Sequence, residues 1–347
     1  MKLAIIGNIG RQDCAVSDGQ TVKTRIVSSE LQNQLGREQI LVINTYGGIN
    51  NLLKAPFQCL RAMLKAKNIL IFPAHNGIRV YAPILALLSY IFPNKRLHYA
   101  VIGGWLPDFI KQRKIIAWAL MRFHGIYVET STMKNAMEHM SYNNIFVMPN
   151  CKRLNILNDE ELTISDHIPY KLCTFSRVMK EKGIGDAVNA IKLINDKFGK
   201  IIYTLDIYGS VDDSQKVWFS ELQATFPEYI SYKGCVDFDK SVETVKNYFA
   251  LLFPTQFFTE GIPGTIIDAY AAGVPVIAAR WQSFADIIDD GVSGYGYDFY
   301  DKNMLISLLQ SIASNPKLIT NLKQNCIVTS QKYLPKNAIK PLINNLK

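Results

Sequence analysis

The sequence predicts an α/β protein with two doubly wound domains, each built on a parallel sheet, that face a central cleft. Short apolar runs alternate with longer stretches whose apolar residues recur at helical spacing, which is typical of βαβ units. A polar, acidic segment around residue 160 interrupts this alternation, which then begins again. The length of 347 residues also suits two domains, at roughly 150 residues per domain.

The first half contains six predicted strands joined by helices. Its first strand, Leu3–Gly7, is continuously apolar, and the helix predicted over Gln20–Leu35 has its apolar side chains on one face. A further helix is predicted around Ala55–Lys67. The other five strands are short apolar runs, at Ile40–Asn44, Ile69–Pro73, Leu97–Ile102, Gly125–Glu129 and Ile145–Pro149. Strands separated by helices form a parallel sheet that is covered on both faces.

The second half repeats the pattern. A strand at Lys171–Ser176 is followed by a helix over Ile184–Phe198 and a strand at Tyr203–Gly209. A helix is also predicted from about Gly264 to Gly273. Three more apolar runs predict strands at Tyr229–Cys235, Ala250–Pro254 and Val274–Ala279. In such sheets ligands bind beyond the carboxyl ends of the strands, so the loops that follow the strands are the candidates for chemistry.

These patterns divide the chain into four parts. The first domain covers residues 1–150, and the second covers residues 171–330. The segment 151–170 is polar, acidic and bounded by prolines, so we interpret it as a linker. Residues 331–347 are predicted to form a helical tail that can pack back on the first domain.

The composition excludes several classes of protein. Hydrophobic residues make up 48% of the chain and charged residues 19%, which excludes a disordered chain. The six cysteines are scattered, which predicts reduced thiols and no disulfide framework or zinc site. The longest apolar run, Tyr81–Phe92, is too short for a bilayer, which needs about 20 residues, so we expect a cytoplasmic protein. Asp237 and Asp239 form a weak metal-binding pattern; Asp239 is better interpreted as a helix N-cap, and no metal is expected.

The net charge of +9 lies entirely in the first half. Residues 1–150 carry 17 basic and 7 acidic side chains, whereas residues 151–347 carry 21 and 22. A basic half is also typical of nucleic-acid binders, but the sequence has no recognition helix, zinc module or similar element. We therefore expect no nucleic-acid partner.

The strongest motif begins where the strand at Ala250–Pro254 ends. A turn rich in Gly and Pro carries Glu260, and the helix that begins near Gly264 carries Asp268 eight residues later. Amide N–H groups of a first helical turn, together with the helix dipole, attract anions. The backbone of Gly264, Thr265 and Ile266 is therefore a candidate anion site between two carboxylates.

A second motif follows the strand at Lys171–Ser176. Arg177 offers a planar guanidinium for a phosphate, and Lys182 offers a compact charge just before Gly183. Together these two cations could neutralise a diphosphate leaving group without a metal ion.

With these two motifs, the sequence resembles glycosyltransferase family 4, which has the GT-B fold of two Rossmann-like domains. The resemblance extends over nearly the whole chain and rests on Asp18–Gln20, the pair Arg177 and Lys182, Leu205–Gly209 and Glu260–Val276. It implies metal-independent, retaining transfer of a sugar from a nucleotide sugar, most simply a UDP-sugar, with no cofactor. It is strongest toward bacterial enzymes of capsule, O-antigen and exopolysaccharide assembly.

The resemblance also implies roles for individual residues. Glu260 contacts the donor sugar, and Asp268 takes the place of the acid that binds the nucleotide ribose. Arg177 and Lys182 hold the diphosphate. The remaining donor-binding positions are backbone or small residues: Gly19, Gly209, Ser210, Val236, Gly264, Thr265 and Ile266.

The sequence departs from the family pattern in two places. The second acid is Asp268 rather than Glu, which shortens its reach by roughly 1.5 Å. The family often has a histidine after the fourth strand, where this chain has Gly103, Gly104 and Trp105. His75, which follows an earlier strand, is the alternative catalytic candidate. Gly103, Gly104, Trp105 and Asn76 are the candidate acceptor-binding residues.

Two segments of the first half combine cations with apolar residues. Phe109–Phe123 contains four cations and no acid, and Tyr81–Phe92 is followed by Lys95 and Arg96. A basic amphipathic helix can lie in a membrane interface, which suggests a peripheral enzyme at the inner face of the plasma membrane and a lipid-linked saccharide acceptor. The alternatives are a free saccharide acceptor and helices that pack on the sheet with solvated cations.

Two other functions remain open at this stage. A nucleotide-sugar epimerase with the same architecture would need an acid/base cluster that the sequence does not reveal, and it would convert the donor without an acceptor. A non-catalytic scaffold with the same fold would have no need of Glu260, Arg177 and Lys182.

Overall fold

The computed structural model describes residues 1–10, 19–162, 164 and 167–346. Its contacts divide the chain into two units. The first consists of Met1–Arg153 and Tyr333–Lys347, and the second of Leu154–Lys332. From Leu154 onward, the described residues of the predicted linker 151–170 therefore cluster with the second unit.

Each unit contains a six-stranded parallel sheet. The first sheet has the order β2-β1-β3-β4-β5-β6 and the second the order β12-β11-β10-β7-β8-β9. The strands are β1 Leu3–Gly7, β2 Ile40–Asn44, β3 Asn68–Ile71, β4 Arg96–Ala100, β5 Gly125–Val128, β6 Ile145–Val147, β7 Tyr170–Phe175, β8 Tyr203–Tyr208, β9 Ile230–Gly234, β10 Ala250–Phe253, β11 Val276–Ala279 and β12 Gly294–Tyr297.

Helices connect these strands in the manner of βαβ units. Over the described residues the helices are α1 Gly19–Leu35, α2 Ile49–Leu52, α3 Ala55–Lys65, α4 His75–Ile91, α5 Leu106–Lys111, α6 Lys114–Leu120, α7 Ser131–Glu138, α8 Ile184–Phe198, α9 Lys216–Gln223, α10 Ser241–Val245, α11 Gly264–Ala271, α12 Lys302–Ser314, α13 Lys317–Thr320, α14 Lys323–Ser330, α15 Pro335–Ala338 and α16 Lys340–Asn345. None of them is both long and apolar enough to cross a bilayer.

The core of the first unit lies on both faces of its sheet. Helices α3 to α7 pack on one face, where Ala62, Leu85 and Leu120 are fully buried. Helix α1 covers the other face together with α15 and α16, the last helices of the chain. A parallel sheet covered in this way buries its central strands on both faces, which explains why β1, β3 and β5 are nearly continuous apolar runs.

The sequence did not predict strand β12. It pairs with β11 and contains two glycines, which are poor strand formers. A Cβ atom on Gly294 would lie only 2.2 Å from the carbonyl oxygen of Val276. Glycine is therefore needed for the strand to approach β11, and the same glycine conceals the strand from sequence analysis.

The basic segment Phe109–Phe123 is not one helix, so that expectation was wrong. It is divided between α5 and α6, and Arg113 between them has non-helical backbone angles of φ −131° and ψ 75°. The amide of Arg113 bonds to the carbonyl of Ile110, three residues back, which closes α5 with a tight turn. Leu120 and Ile116 are buried, so part of the segment belongs to the core.

An ion pair is buried at the carboxyl edge of the first sheet. Lys23 on α1 lies 2.6 Å from the carboxylate of Glu129, which follows β5, and the two side chains are only 1% and 3% exposed. The Lys23 ammonium also donates to the carbonyl of Val101, which follows β4, at 3.0 Å. This lysine thus fastens helix α1 to the ends of two strands.

The strand orders indicate where ligands bind in each sheet. In the second sheet β7 and β10 are neighbours, and the chain leaves them in opposite directions along the sheet. The loops diverge there and leave a crevice at the carboxyl ends. The corresponding point in the first sheet lies between β1 and β3.

Candidate active site

The loops after β7 and β10 lie side by side in the second unit. The amide of Gln256 donates to the carbonyl of Glu181 at 2.8 Å. Gly183 has φ +70°, and a Cβ atom there would lie 1.8 Å from the carbonyl oxygen of Pro254. Only glycine allows these backbones to approach so closely. The two motifs that were separate in the sequence therefore form one site.

Lys182 and Glu260 form an ion pair in this site. The Lys182 ammonium donates to Glu260 Oε2 at 2.6 Å, and both side chains are only partly exposed. The hydroxyl of Thr255 donates to the same oxygen at 3.2 Å. The ammonium also lies 4.9 Å from the centre of the Phe257 ring, which favours a cation. The carboxylate and ammonium are thus held in fixed positions at the mouth of the crevice.

Helix α11 begins next to Glu260. The amides of Gly264 and Thr265 have no acceptor among the described residues, and the Thr265 hydroxyl is buried without a partner. Ile266 differs from the expectation, because its amide donates to the carbonyl of Pro263 at 3.1 Å. The anion site therefore has two available amides in place of the three expected.

Asp268 lies farther along α11 and is only 3% exposed. Little of the Asp268 side chain is therefore accessible for the predicted contact with the nucleotide ribose.

Arg177 is exposed, in contrast to Lys182 and Asp268. Its guanidinium lies 3.7 Å from Asp212, and its side chain is 61% exposed. Asp212 also accepts hydrogen bonds from the amide and the hydroxyl of Ser214 within a short turn. These bonds, followed by the charge of Arg177, lower the pKa of the Asp212 carboxyl. Arg177 can therefore leave this loose pair to meet a phosphate.

Three further positions that the resemblance assigns to the donor lie at the same edge of the second sheet. Gly209 follows β8, and its amide donates to the carbonyl of Gly234 at the end of β9. The carbonyl of Ser210 accepts from the amide of Val178 at 2.8 Å. Val236 is partly exposed two residues beyond β9.

Sequence analysis missed the network that supports the Glu260 loop. The side chain of Gln256 donates to Asp186 at 2.9 Å, and Lys302 forms an ion pair with the same carboxylate at 2.6 Å. These residues come from α8, the loop after β10 and α12, so no local pattern could have indicated them. Thr255 had a weak signal, as a hydroxyl residue directly after a strand in the motif.

The candidate residues of the first unit lie at the carboxyl ends of β3 and β4. His75 is the first residue of α4, and its ring stacks on Trp105 with centroids 3.8 Å apart. The Trp105 indole N–H donates to the carbonyl of Ile102 at 2.7 Å. Gly103 and Gly104 lie between Ile102 and Trp105 in the chain and are partly exposed.

The surroundings of His75 lower the pKa of its imidazole. Burial is the largest cause, followed by the charges of Arg79 and Arg113. The ring is therefore neutral at pH 7. Sequence analysis singled out neither arginine for this site. Asn76 lies next to His75 and is exposed.

The segment Asp18–Gln20, which contributes to the family resemblance, is described only in part. Gly19 begins α1, and the side chain of Gln20 donates to the carbonyl of Phe72 at 3.0 Å, which holds this end of the helix near β3. Asp18 lies outside the described residues.

The weak D-x-D pattern forms part of a short turn. Asp239 does not cap a helix as expected, because Phe238–Lys240 is a 3₁₀ turn and α10 begins only at Ser241. Asp237 lies 3.6 Å from Lys240 in an exposed pair. Within the part of the chain that the structure describes, no three His, Cys, Asp or Glu side chains converge as a metal site would require.

Comparison with known proteins gives a family match in the second unit. Residues 160–328 match the model of the family described as glycosyl transferases group 1. A 151-residue segment is 25% identical to the amylovoran biosynthesis glycosyltransferase AmsK of Erwinia amylovora. A 135-residue segment is 29% identical to an uncharacterised 41.2 kDa protein in the cps region of Klebsiella pneumoniae. These segments cover 41% and 39% of this chain, and 36% and 34% of those relatives.

Solved structures match over the whole chain. HepE of Anabaena, solved in complex with UDP, has a TM-score of 0.77 at 13% identity, covering 100% of this chain and 99% of that one. The lipopolysaccharide outer core galactosyltransferase WaaB has a TM-score of 0.70 at 15% identity, with the same coverage. With the two six-stranded parallel sheets, these likenesses confirm the predicted fold class. The chain therefore has the GT-B fold, and the residues that match the glycosyl transferases group 1 model lie in its second unit, together with Lys182 and Glu260.

Proposed function

We propose that this protein is a retaining, metal-independent glycosyltransferase of the family 4 type, which moves a hexose from a UDP-sugar to a saccharide in cell-surface polysaccharide assembly. The observation that carries the proposal is the Lys182–Glu260 pair beside the unpartnered amides of α11. The family match covers this site, and HepE has been solved with UDP-glucose. AmsK, from amylovoran biosynthesis, supports the polysaccharide context.

The leaving group in this proposal is a nucleoside diphosphate. Lys182, Arg177 and the amides of Gly264 and Thr265 supply positive charge and hydrogen-bond donors to it. Preorganised donors of this kind stabilise charge that develops as the bond to the leaving group breaks. Because cations and amides already do so, the reaction needs no metal ion.

Glu260 has a different task in this proposal. When the diphosphate takes a share of the Lys182 ammonium, the Glu260 carboxylate is left less neutralised and faces the donor sugar. A negative charge there stabilises the positive charge that builds up on the sugar ring as the glycosidic bond breaks. Thr255 keeps the carboxylate oriented throughout.

The donor site is tested by UDP binding in the presence of EDTA. Lys182→Ala and Arg177→Ala should each weaken UDP affinity about 10- to 100-fold, because a hydrogen bond to a charged group contributes roughly 1.5–3 kcal/mol. The measurement is titration calorimetry on the full chain. Lys180→Ala is the matched control, since Lys180 is exposed in the same loop and lies over Trp218 instead. Unchanged affinity in both variants, or wild-type binding that disappears in EDTA, would contradict the assignment.

We also propose that the first unit rests on an anionic membrane surface and that the acceptor is lipid-linked. Residues 39–128 contain eleven lysine and arginine side chains and a single acid, Asp108. In this region α3 packs on α4 and α4 packs on α6, so the three helices form one layer. Large apolar side chains are exposed along it, namely Leu53, Phe57, Leu60, Leu64, Leu87, Tyr90, Ile91, Ile115, Trp118 and Met121.

We call this layer the apolar–basic face. Phe57 is 77% exposed and Ile115 is 69% exposed, which is unusual for so many apolar residues in adjacent helices. Lys54, Arg61 and Lys114 are exposed on the same helices. Each cation near an anionic surface contributes about 1 kcal/mol to the free energy of membrane binding. Insertion of the apolar side chains into the membrane interface strengthens that binding further.

Co-sedimentation with vesicles tests the membrane proposal. The protein should pellet with phosphatidylglycerol vesicles at low salt and be released at high salt. Ile91→Ser combined with Ile115→Ser should reduce the bound fraction several-fold. The matched control is Val217→Ser with Val328→Ser, which changes equally exposed residues of the second unit and should have no effect. Equal binding to neutral phosphatidylcholine vesicles, or no binding to either kind, would contradict the proposal.

A further inference from the structure

Two arginines of the first unit converge on one aromatic ring. The guanidinium carbon of Arg113 lies 3.9 Å from the centre of the Phe109 ring, and that of Arg79 lies 5.3 Å from it. Arg113 is partly buried and is fixed by a hydrogen bond to the carbonyl of Phe109 at 2.9 Å. Phe109 itself is buried. Two positive charges therefore lie beside the Phe109 ring.

No carboxylate among the described residues balances these charges. Asp108 is the nearest acid in sequence, and it pairs with Lys111 at 2.6 Å on the exposed side of α5. Both guanidinium charges act on His75, since both lower the pKa of its imidazole in addition to the effect of burial. Arg79 is exposed and Arg113 is partly buried, and with no carboxylate beside them their remaining N–H donors can serve an anion.

An aromatic platform lies next to these arginines. Trp105 stacks on His75 and meets the edge of Phe109 at 5.0 Å, with an interplanar angle of 85°. Its indole N–H is already used by the carbonyl of Ile102. Trp105 is partly exposed, so the part of its ring that His75 and Phe109 leave uncovered can pack on the apolar face of a sugar. The cluster lies at the carboxyl ends of β3 and β4, the edge at which α/β sheets bind ligands.

We propose that Arg79 and Arg113 form an oxyanion subsite, so that the acceptor is a saccharide that carries a carboxylate or a phosphate group. The oxyanion accepts hydrogen bonds from the two guanidinium groups, and the sugar ring that bears it packs on Trp105. The saccharide nature of this ligand rests on the proposed function. The requirement for an anion rests on the unbalanced arginines alone.

Binding of the anion has a consequence that can be observed at His75. A negative charge between Arg79 and Arg113 cancels their repulsion of the imidazolium. The pKa of His75 should therefore rise when the subsite is filled. A neutral sugar that packs on Trp105 without an anion would leave the two arginine charges unscreened.

The experiment follows His75 by NMR in the full chain, labelled at the histidine Cε1 carbon and assigned with His75→Gln. Glucuronate and glucose 6-phosphate are the two anionic probes, and glucose is the neutral probe. We expect one or both anionic probes to raise the pKa of His75 and glucose to leave it unchanged. A response to glucuronate alone assigns an acidic sugar, whereas a response to the phosphate alone assigns a sugar phosphate or a phosphate-linked acceptor.

Variants determine whether the two arginines are responsible. Arg79→Gln and Arg113→Gln should each weaken binding of the responding probe tenfold or more. The matched control is Arg122→Gln, since Arg122 lies 4.4 Å from the Tyr90 ring and makes the same kind of contact elsewhere in the unit. The proposal is overturned if glucose acts like the charged probes, if no probe shifts His75, or if both variants bind like the wild type. None of these measurements uses a donor or turnover, so this result and the test of the proposed function can fail independently.

Discussion

Glu260→Gln is expected to reduce glycosyl transfer by roughly 10²–10³-fold, the loss typical when one preorganised electrostatic group is removed from a reaction centre. Glutamine has nearly the same size and can still accept from Lys182 and Thr255, so the loop should keep its conformation. What the variant loses is the negative charge that faces the donor sugar in the proposed mechanism. The effect should therefore appear in kcat rather than in KM for the donor.

The binding of UDP separates this role from a structural one. If the diphosphate binds Lys182 as proposed, Glu260 competes with it for that ammonium in the wild type. The variant should therefore bind UDP at least as tightly. The matched control is Glu243→Gln, which removes the same charge from an exposed pair with Lys246. Turnover of Glu260→Gln within a few-fold of the wild type would show that the carboxylate is not catalytic.

Glu129→Ala is expected to lower the free energy of unfolding of the first unit by about 3–5 kcal/mol. Removing Glu129 leaves the buried Lys23 ammonium with the Val101 carbonyl oxygen as its remaining partner among the described residues. The unit then unfolds more readily because water hydrates that charge in the unfolded chain. Hydrogen exchange of the β5 amides during urea unfolding reports this unit alone.

Two further variants sharpen the test of the buried pair. Lys23→Met combined with Glu129→Leu should recover much of the lost stability, because apolar side chains of similar size can replace a buried ion pair. Glu138→Ala removes the partner of Lys134 from an exposed pair at 3.7 Å and should cost less than about 0.5 kcal/mol. If Glu129→Ala lowered the free energy of unfolding as little as the Glu138→Ala control does, water would have to reach the Lys23 ammonium.

Strands β1 to β11 could be predicted to within two residues at each end, for a physical reason. Parallel strands buried on two faces are short apolar runs, and β1, β2 and their neighbours have no polar alternation to confuse the pattern. Strand β12 was missed because its close approach to β11 requires glycine. The break between α5 and α6 was missed because both halves of the segment have helical periodicity.

The sequence motifs name the residues of the candidate site, but they do not reveal how those residues are arranged. Glu260, Lys182 and Gly183 belong to recognisable motifs, yet the pairing of the two charged groups depends on β7 and β10 being neighbours. The convergence of Arg79 and Arg113 had no sequence signal, because the two residues lie on different helical segments and share only the ring of Phe109. Contacts of this kind follow from tertiary packing rather than from local spacing.

The helices α15 and α16 have a consequence for how the chain is made. Ala338, Ile339 and Leu342 are buried against the face of the first sheet that α1 also covers. A ribosome must translate all of Leu154–Lys332 before these residues emerge. At about 5–20 residues per second, the nascent first unit waits on the order of 10–40 s with that face incompletely covered. During this interval, chaperones or partial collapse of the chain must keep the uncovered apolar face from water and from other chains. The first unit therefore completes its fold only after the second unit has been synthesised.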